Sequence, residues 1–501
     1  MQRSVAVVAA LLAVASVAHG QYDLYAWPNR STIVHLFEWR WEDVARECEE
    51  YLAPNHFAGV QLSPVAEHLK CDERGRPWWE VYQPLSYNII TRSGDELAFA
   101  DMVSRCNAVG VRIIVDVVLN HMSGDWDPAI GIDGTTADTV ARDYPGVPYT
   151  VEHFNPFCEA NNYQDANIIR NCEIAQLHDL NTSIAYVRDK QVEYLNKLVG
   201  HGVTGFRVDA AKHIWPEHLA DVMNRVNDLP EAQGFPPGAR PFVAQEVIDF
   251  GTGEAVTKDE YYGIGYITEF RYGSELGRAM RGNNPLKWYF DFGENWGFAP
   301  DKYALVFNDN HDNQRGHGAG GQNVVTYKDP KWYKQAQAFM LAWPHGYPRL
   351  MSSFDFTDTE IGPPMDANEN ILPVTTNPDG SCGNGWVCEH RWNALTQMVS
   401  FRNTVVGTNV TLWWDNGNNM VSWSREGLGF IVINGEAGDL DETLSTGLPA
   451  GTYCDVISGK LENGACTGLT IVVAADGTAA ISLPGASQEG VMATHINAKI
   501  A

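Results

Sequence analysis

Residues 111–118 read VRIIVDVV and residues 205–208 read GFRV. Both runs are short, mostly apolar and rich in β-branched side chains, and each leads straight into polar residues, LNH at 119–121 and DAAKH at 209–213. Runs of this kind suit strands buried on both faces, as in a parallel sheet covered by helices. Working outward, the same reading predicts strands at Thr32 to Phe37, Gly59 to Leu62, Pro241 to Ala244, Tyr266 to Glu269, Ala304 to Phe307 and Arg349 to Met351. Amphipathic segments lie between them: Trp41 to Leu52, Glu96 to Val109, Ile184 to Val199, Pro216 to Val226, Ser274 to Arg281 and Trp332 to Trp343. Eight alternating βα units predict an α/β fold, a (β/α)8 TIM barrel rather than an open doubly wound sheet.

One interval breaks the rhythm. His121 to Asp179 is irregular, rich in Gly, Asp, Asn and Pro, and holds Cys158 and Cys172, which predicts a subdomain inserted after the third strand. From about Asn409 the pattern turns to short alternating strands (Leu428 to Asn434, Thr470 to Ala474, Ala479 to Leu483), which predicts a C-terminal antiparallel β-sandwich domain. The expected division is a leader at 1–20, a barrel at 21–120 and 180–408, an insert at 121–179 and an all-β domain at 409–501. The leader has Arg3, an apolar run from Val5 to Ala18, and small residues at Ala18 and Gly20 before Gln21. It reads as a secretory signal cleaved after Gly20, leaving a glutamine that can cyclise.

The 501-residue chain carries 35 basic and 62 acidic residues, a formal charge of -27. That balance argues against nucleic acid and anionic lipid, which are recognised through clustered Lys and Arg. No stretch reaches the roughly 18 apolar residues of a membrane span. The 16 Trp, 20 Tyr and 19 Phe would suit stacking on sugar rings, although large cores use aromatics too. Nine cysteines in a secreted chain imply disulfides with one thiol left over, and the short loops Cys382 to Cys388 and Cys454 to Cys466 are candidate local pairs.

In a barrel of this type reacting groups stand where strands end and loops begin. Asp116, Asn120 and His121 close the third strand; Arg207, Asp209, Lys212 and His213 the fourth; Glu246 the fifth; and Asn310, His311 and Asp312 the seventh. Singly, an Asp at a strand end reads as well as a helix cap. Jointly, Asp209, Glu246 and Asp312 converge on one face, and glycosidic hydrolysis needs two carboxyl groups across the scissile bond. Trp78 and Trp79, followed by Tyr82 and Gln83, are either packing or a sugar-stacking platform.

DVVLNH (116–121), GFRVDAAKH (205–213), EVID (246–249) and FNDNHD (307–312) resemble, in order and spacing, the four signature regions of the α-amylase family of glycoside hydrolases. VHLFEWRW (34–41), RPWWEVYQP (76–84), NHDNQRGHGAGG (310–321) and CGNGWVCEHRW (382–392) are similar to its animal-type, chloride-dependent members. The resemblance implies a secreted α-amylase acting on internal α-1,4 bonds of starch, glycogen and maltooligosaccharides, as a monomer without nucleic-acid or membrane partners. It makes Asp209 the nucleophile, Glu246 the acid and base, and Asp312 the stabiliser of the distorted sugar. Trp78, Trp79, Tyr82, Gln83, His121, Lys212, His311 and His317 would line the substrate, with Gly316 to Gly321 as a mobile loop. One Ca2+ would be held by Asn120, Asp179, His213 and the Arg170 carbonyl, His213 also through its carbonyl. One activating Cl- would be held by Arg207, Asn310 and Arg349, as two guanidinium groups without an acid partner would favour an anion between them. The implied disulfides are Cys48 with Cys106, Cys158 with Cys172, Cys382 with Cys388 and Cys454 with Cys466, leaving Cys71 alone. A further vertebrate bridge is absent, its positions being Ile90 and Ser123.

Overall fold

The computed structural model describes residues 21–500, so the expected leader lies outside the described residues. Eight strands close a parallel barrel: β1 (Ile33–Leu36), β2 (Gly59–Leu62), β3 (Arg112–Val117), β4 (Gly205–Val208), β5 (Phe242–Gln245), β6 (Tyr266–Thr268), β7 (Ala304–Val306) and β8 (Tyr347–Ser352). All eight predicted strands are present, with ends shifted by at most two residues. The ring closes where β1 pairs with β8, Ile33 opposite Arg349. Pairing also sets the site's floor: Asp116 on β3 stands opposite Arg207 on β4. Cross-strand partners share a face, so the two side chains are neighbours before any loop is placed. Gly205 opens β4 because nothing larger fits: a Cβ there would lie 2.3 Å from the Phe242 carbonyl oxygen.

The helices are α1 (Trp41–Glu47), α2 (Glu96–Ala108), α3 (Ala166–Asn171), α4 (Ala185–Gly200), α5 (Pro216–Arg225), α6 (Phe270–Met280), α7 (Pro330–Ala342) and α8 (Asn393–Val405). The Asp95 carboxylate accepts the Ala98 N–H at 2.9 Å and starts α2. Helix α1 gives way to one π-helical turn over Cys48–Leu52, inside the segment predicted as a single helix. Helix α6 begins four residues before the predicted Ser274. Glu269 caps it through the Arg271 N–H (3.1 Å), and Gly273 serves close packing against the Asn308 carbonyl rather than breaking the helix. Helix α8 was not predicted. Its β-branched residues weaken the local signal, and burial of Leu395, Met398, Val399 and Phe401 decides the conformation.

Between β3 and α4 the chain is mostly irregular, with a hairpin of two-residue strands (Ala129–Ile130, Thr136–Ala137) and α3. Its two ends are stitched together by a bridge between His121 and Asp179 and by Leu180 N–H to the Asn120 carbonyl, 2.9 Å. After α8, strands Val410–Asp415, Met420–Arg425, Gly429–Asn434 and Val491–His495 form a four-stranded antiparallel sheet. A longer pair, Leu440–Ser445 with Thr478–Leu483, packs with it around Phe430, Val432, Leu444 and Ile481. Four disulfides have the expected partners, and Cys71 is free and buried. Among the described residues no helix is long and apolar enough to cross a membrane.

Candidate active site

The strand ends of β3, β4 and β5 bring three carboxylates onto one buried guanidinium, and the end of β7 adds Asp312 beside them. Arg207 gives Nη1 to Asp116 at 2.8 and 2.9 Å and to Asp209 Oδ1 at 2.6 Å, while its Nη2 meets Glu246 Oε1 at 2.7 Å. Arg207 is 2% exposed, and Asp209 and Glu246 are 8% exposed. The expectation that Arg207 lacks an acid partner is therefore wrong: the barrel register and the adjacent strand end give it three. Of the two, Arg349 fits that description, buried over the Phe307 ring with Nη1 on the Gln61 amide oxygen at 2.7 Å.

Local backbone strain completes the arrangement. Ala210 adopts a left-handed conformation (φ 47°), unusual for a non-glycine residue, and its N–H donates to Glu246 Oε2 at 2.8 Å. The site thus holds one oxygen of Glu246 on an amide and the other on Arg207.

Electrostatics follow from burial and crowding. Burial pushes the carboxyls of Asp209 and Glu246 up, Arg207 pulls both down, and the Asp209 charge raises Glu246 further; the net direction for both is upward. Asp116 is raised to about 7 by burial. Asp312 lies well above the usual range, through burial and then the charge of Glu246. Carboxyls this close titrate as a group rather than singly.

The remaining predicted residues divide into those that contact this cluster and those that contact other groups. Tyr82 donates to Asp116 Oδ2 at 3.0 Å and stacks on His311, whose Nε2 lies 2.8 Å from the Tyr82 hydroxyl and 3.2 Å from Asp312 Oδ2. Asn310 Nδ2 is 3.4 Å from Asp312, and Trp78 packs on Tyr82, His311 and His317. His121 Nε2 contacts the Tyr82 carbonyl at 3.1 Å, and burial lowers it to about 4, so it is neutral. Lys212 pairs with Glu254 and donates to the Ile248 carbonyl at 2.6 Å. Gln83 accepts from Trp126 Nε1 (3.1 Å) and the Gly124 N–H (3.2 Å). Trp79 Nε1 and His317 Nε2 both meet Glu360, at 2.8 and 2.9 Å.

Two of these partners were missed as site residues. Asp116 was visible as the polar residue inside the VRIIVDVV run, and its pairing row with Arg207 is the signal that could have promoted it. Glu360 has no sequence signal, being far along the chain in a loop.

For the expected cation, the described residues contain no cluster of three or more His, Cys, Asp or Glu side chains able to hold a metal. The implied ligand set has one carboxylate, the rest being an amide and carbonyls, so such a cluster is not required. Asp179 is 2% exposed; Asn155 Nδ2 donates to its Oδ2 at 2.7 Å, and Oδ1 has no hydrogen-bond partner. An orphaned buried carboxylate oxygen fits a hard cation. The stitching of the insert's ends brings the Asn120 and Asp179 backbones together. The Arg170 side chain goes elsewhere, to Glu260 (2.8 Å) and Tyr261 (3.2 Å), and His213 Nδ1 lies 2.7 Å from the Ile169 carbonyl. For the expected anion, Arg349 has no carboxylate within ion-pair distance, and the nearby Gln61 Nε2 is unpartnered.

A closed parallel barrel with buried carboxylates at its strand ends, followed by an antiparallel β-domain, is the architecture of an α-amylase-type protein. Residues 50–347 match the family model of the alpha amylase catalytic domain, and residues 413–496 that of the alpha amylase C-terminal all-beta domain. The chain belongs to the α-amylase family. It is 51% identical over 490 residues, 98% of either chain, to proteins named alpha-amylase-related protein from Drosophila lini and Drosophila kikkawai. Its structure is similar to wild-type alpha-amylase I from Eisenia fetida and to a mutant of that enzyme in complex with maltohexaose. For each, the TM-score is 0.90 and the identity 42%, with 95% of this chain and 99% of that one covered.

Proposed function

We propose that the protein is a secreted α-amylase that cleaves internal α-1,4 bonds of starch, glycogen and maltooligosaccharides with retention of configuration. The observation that carries this reading is the grip of one buried guanidinium on both Asp209 and Glu246. Carboxyls held on two nitrogens of a single group are close neighbours, as the retaining mechanism needs. Asp209, charge-paired to Arg207, attacks the anomeric carbon. Glu246, raised by burial and by Asp209, protonates the leaving oxygen and then takes the proton of the incoming water. Asp312 binds the distorted sugar, with neutral His311 and His121 at its hydroxyls. The aromatic wall of Trp78, Trp79 and Tyr82 holds the chain.

Asn120, Asp179 and the carbonyls of Arg170 and His213 would hold Ca2+, which supplies positive charge to the orphaned Asp179 oxygen and ties the insert to the barrel. Arg349, with Asn310 and one edge of Arg207, would hold Cl-, which offsets the pull of Arg207 on Glu246 and so keeps the acid protonated. The test is reducing-sugar release and viscosity of soluble starch in calcium buffer, with and without chloride. A fall in viscosity that outpaces sugar release is expected, faster with chloride. Release from maltose but not from polymer would instead indicate an α-glucosidase, and no release from folded protein a binding role.

A further inference from the structure

At the end of the barrel opposite the catalytic carboxyls, a cavity of about 380 Å3 is lined by Tyr266 and Tyr347, the first residues of β6 and β8, by Arg402 on α8, and by Arg425 on the strand Met420–Arg425. It lies where the barrel meets the C-terminal domain. Lys302 and Asp301 complete its charged lining. Three cations around one carboxylate are out of keeping with a chain whose formal charge is -27.

The two arginines are buried, Arg402 at 7% exposure and Arg425 at 1%. Their hydrogen bonds all go to backbone carbonyls. Arg402 donates to those of Trp343 and Gly346, the latter at 2.8 Å, and Arg425 to those of Ala342 (2.6 Å), Val405 (3.2 Å) and Thr408 (2.7 Å). Ala342 and Val405 end α7 and α8, so the helix dipoles take up part of the charge. The rest has no answer. A guanidinium carries five N–H donors, of which Arg402 uses two and Arg425 three, and the Nε–H of each is buried without an acceptor. Burial, and then the charge of Arg402, lower Arg425 to about 9, so the two groups repel one another. Asp301 is occupied elsewhere, its Oδ1 accepting the Gly346 N–H at 2.7 Å, and Lys302 lies over the Tyr303 ring (4.6 Å).

We propose that this cavity binds a small oxoanion, of the sulfate or phosphate type, which ties the barrel to the C-terminal domain. The planar guanidinium presents paired N–H bonds that match two oxygens of such an ion, and an anion beside two buried cations offsets their repulsion. Lys302 adds the third positive charge. The site is independent of the α-amylase reading and of the chloride expected at Arg349, a residue outside this lining.

The probe is sodium sulfate, titrated in calcium buffer at an ionic strength held constant with sodium chloride, with Tm as the readout. The wild-type Tm rises saturably, by about 3 °C at a hundredfold excess over the Kd. Lys302→Gln, at an exposed position, raises the apparent Kd about threefold. Arg425→Lys, which keeps the charge but not the fork, abolishes the saturable rise, and Arg349→Gln leaves it intact. No rise, a rise linear in sulfate and equal in all variants, or its loss in Arg349→Gln would overturn the proposal. Crystals soaked in sodium selenate read the site without any substitution. An anomalous peak beside Arg402 and Arg425 is expected, and its absence, or a peak at Arg349 alone, overturns the assignment.

Discussion

Two buried acidic centres lie near one another in the chain's fold and are balanced differently. Around Arg207, three carboxylates are answered by a cation that the chain itself supplies. Around Asp179, the carboxylate has an amide on one oxygen and nothing on the other. Burying charge is costly unless it is paired, so the first centre is balanced within the chain, and the second is where the proposed cation would act. Arg349 is the mirror case, a buried cation lacking a carboxylate.

The largest expected effect tests whether the first centre does chemistry. Asp209→Asn and Glu246→Gln should each lower kcat on starch by at least about 10³-fold while the far- and near-ultraviolet circular dichroism stays unchanged. In the wild type, activity should fall on the alkaline side as Glu246, raised by burial, loses its proton, and on the acid side as Asp209 gains one. Near-wild-type kcat in either variant would reject the roles assigned.

Next comes the self-supplied cation. Arg207→Gln leaves three buried carboxylates without a countercharge and should cost about 3–5 kcal/mol in chemical denaturation at pH 7. The sign can be worked out. Without the guanidinium the folded-state carboxyl pKa values, already raised, rise further above their unfolded values, so the deficit shrinks as pH falls and those groups take up protons. A deficit independent of pH would mean that the loss is one of packing.

Removal of calcium probes the second centre. Chelation should lower the Tm, with a stability loss of about 2.7 kcal/mol if the ion is otherwise present at a hundredfold over its Kd. Asp179→Asn should abolish the response to chelator, whereas Arg207→Gln should leave it in place. A chelator response surviving in Asp179→Asn would break the contrast between the two centres.

The smallest effect concerns the anion. Transfer to chloride-free buffer should reduce activity several-fold and move the alkaline limb to lower pH, because an anion beside Glu246 raises its pKa and its removal lowers it. Arg349→Gln should make the pH profile insensitive to chloride. An unchanged wild-type profile in the two buffers would remove the anion from the account.

The strands were legible because a buried parallel strand is encoded locally, in runs such as VRIIVDVV and GFRV. The same holds for the strand-end carboxylates, whose positions follow from where each run stops. Helix α8 and the early start of α6 were not legible, since packing and a side-chain cap overrode weak local preference. The charge partners of Arg207 were misjudged because they depend on which strands sit side by side. The contact of Gln83 with Trp126, 43 residues along the chain, was likewise not legible.

The sequence by itself determined the barrel, its interruption after the third strand and the identity of the polar residues at strand ends, because hydrophobic periodicity and residue type are local properties. Only the tertiary structure decided which charges meet. Pairing register set Asp116 beside Arg207, a strained alanine aimed an amide at Glu246, and the closure of the insert left one oxygen of Asp179 alone. Electrostatic energy depends on separation and burial in space, and neither is written in the spacing of residues along a chain.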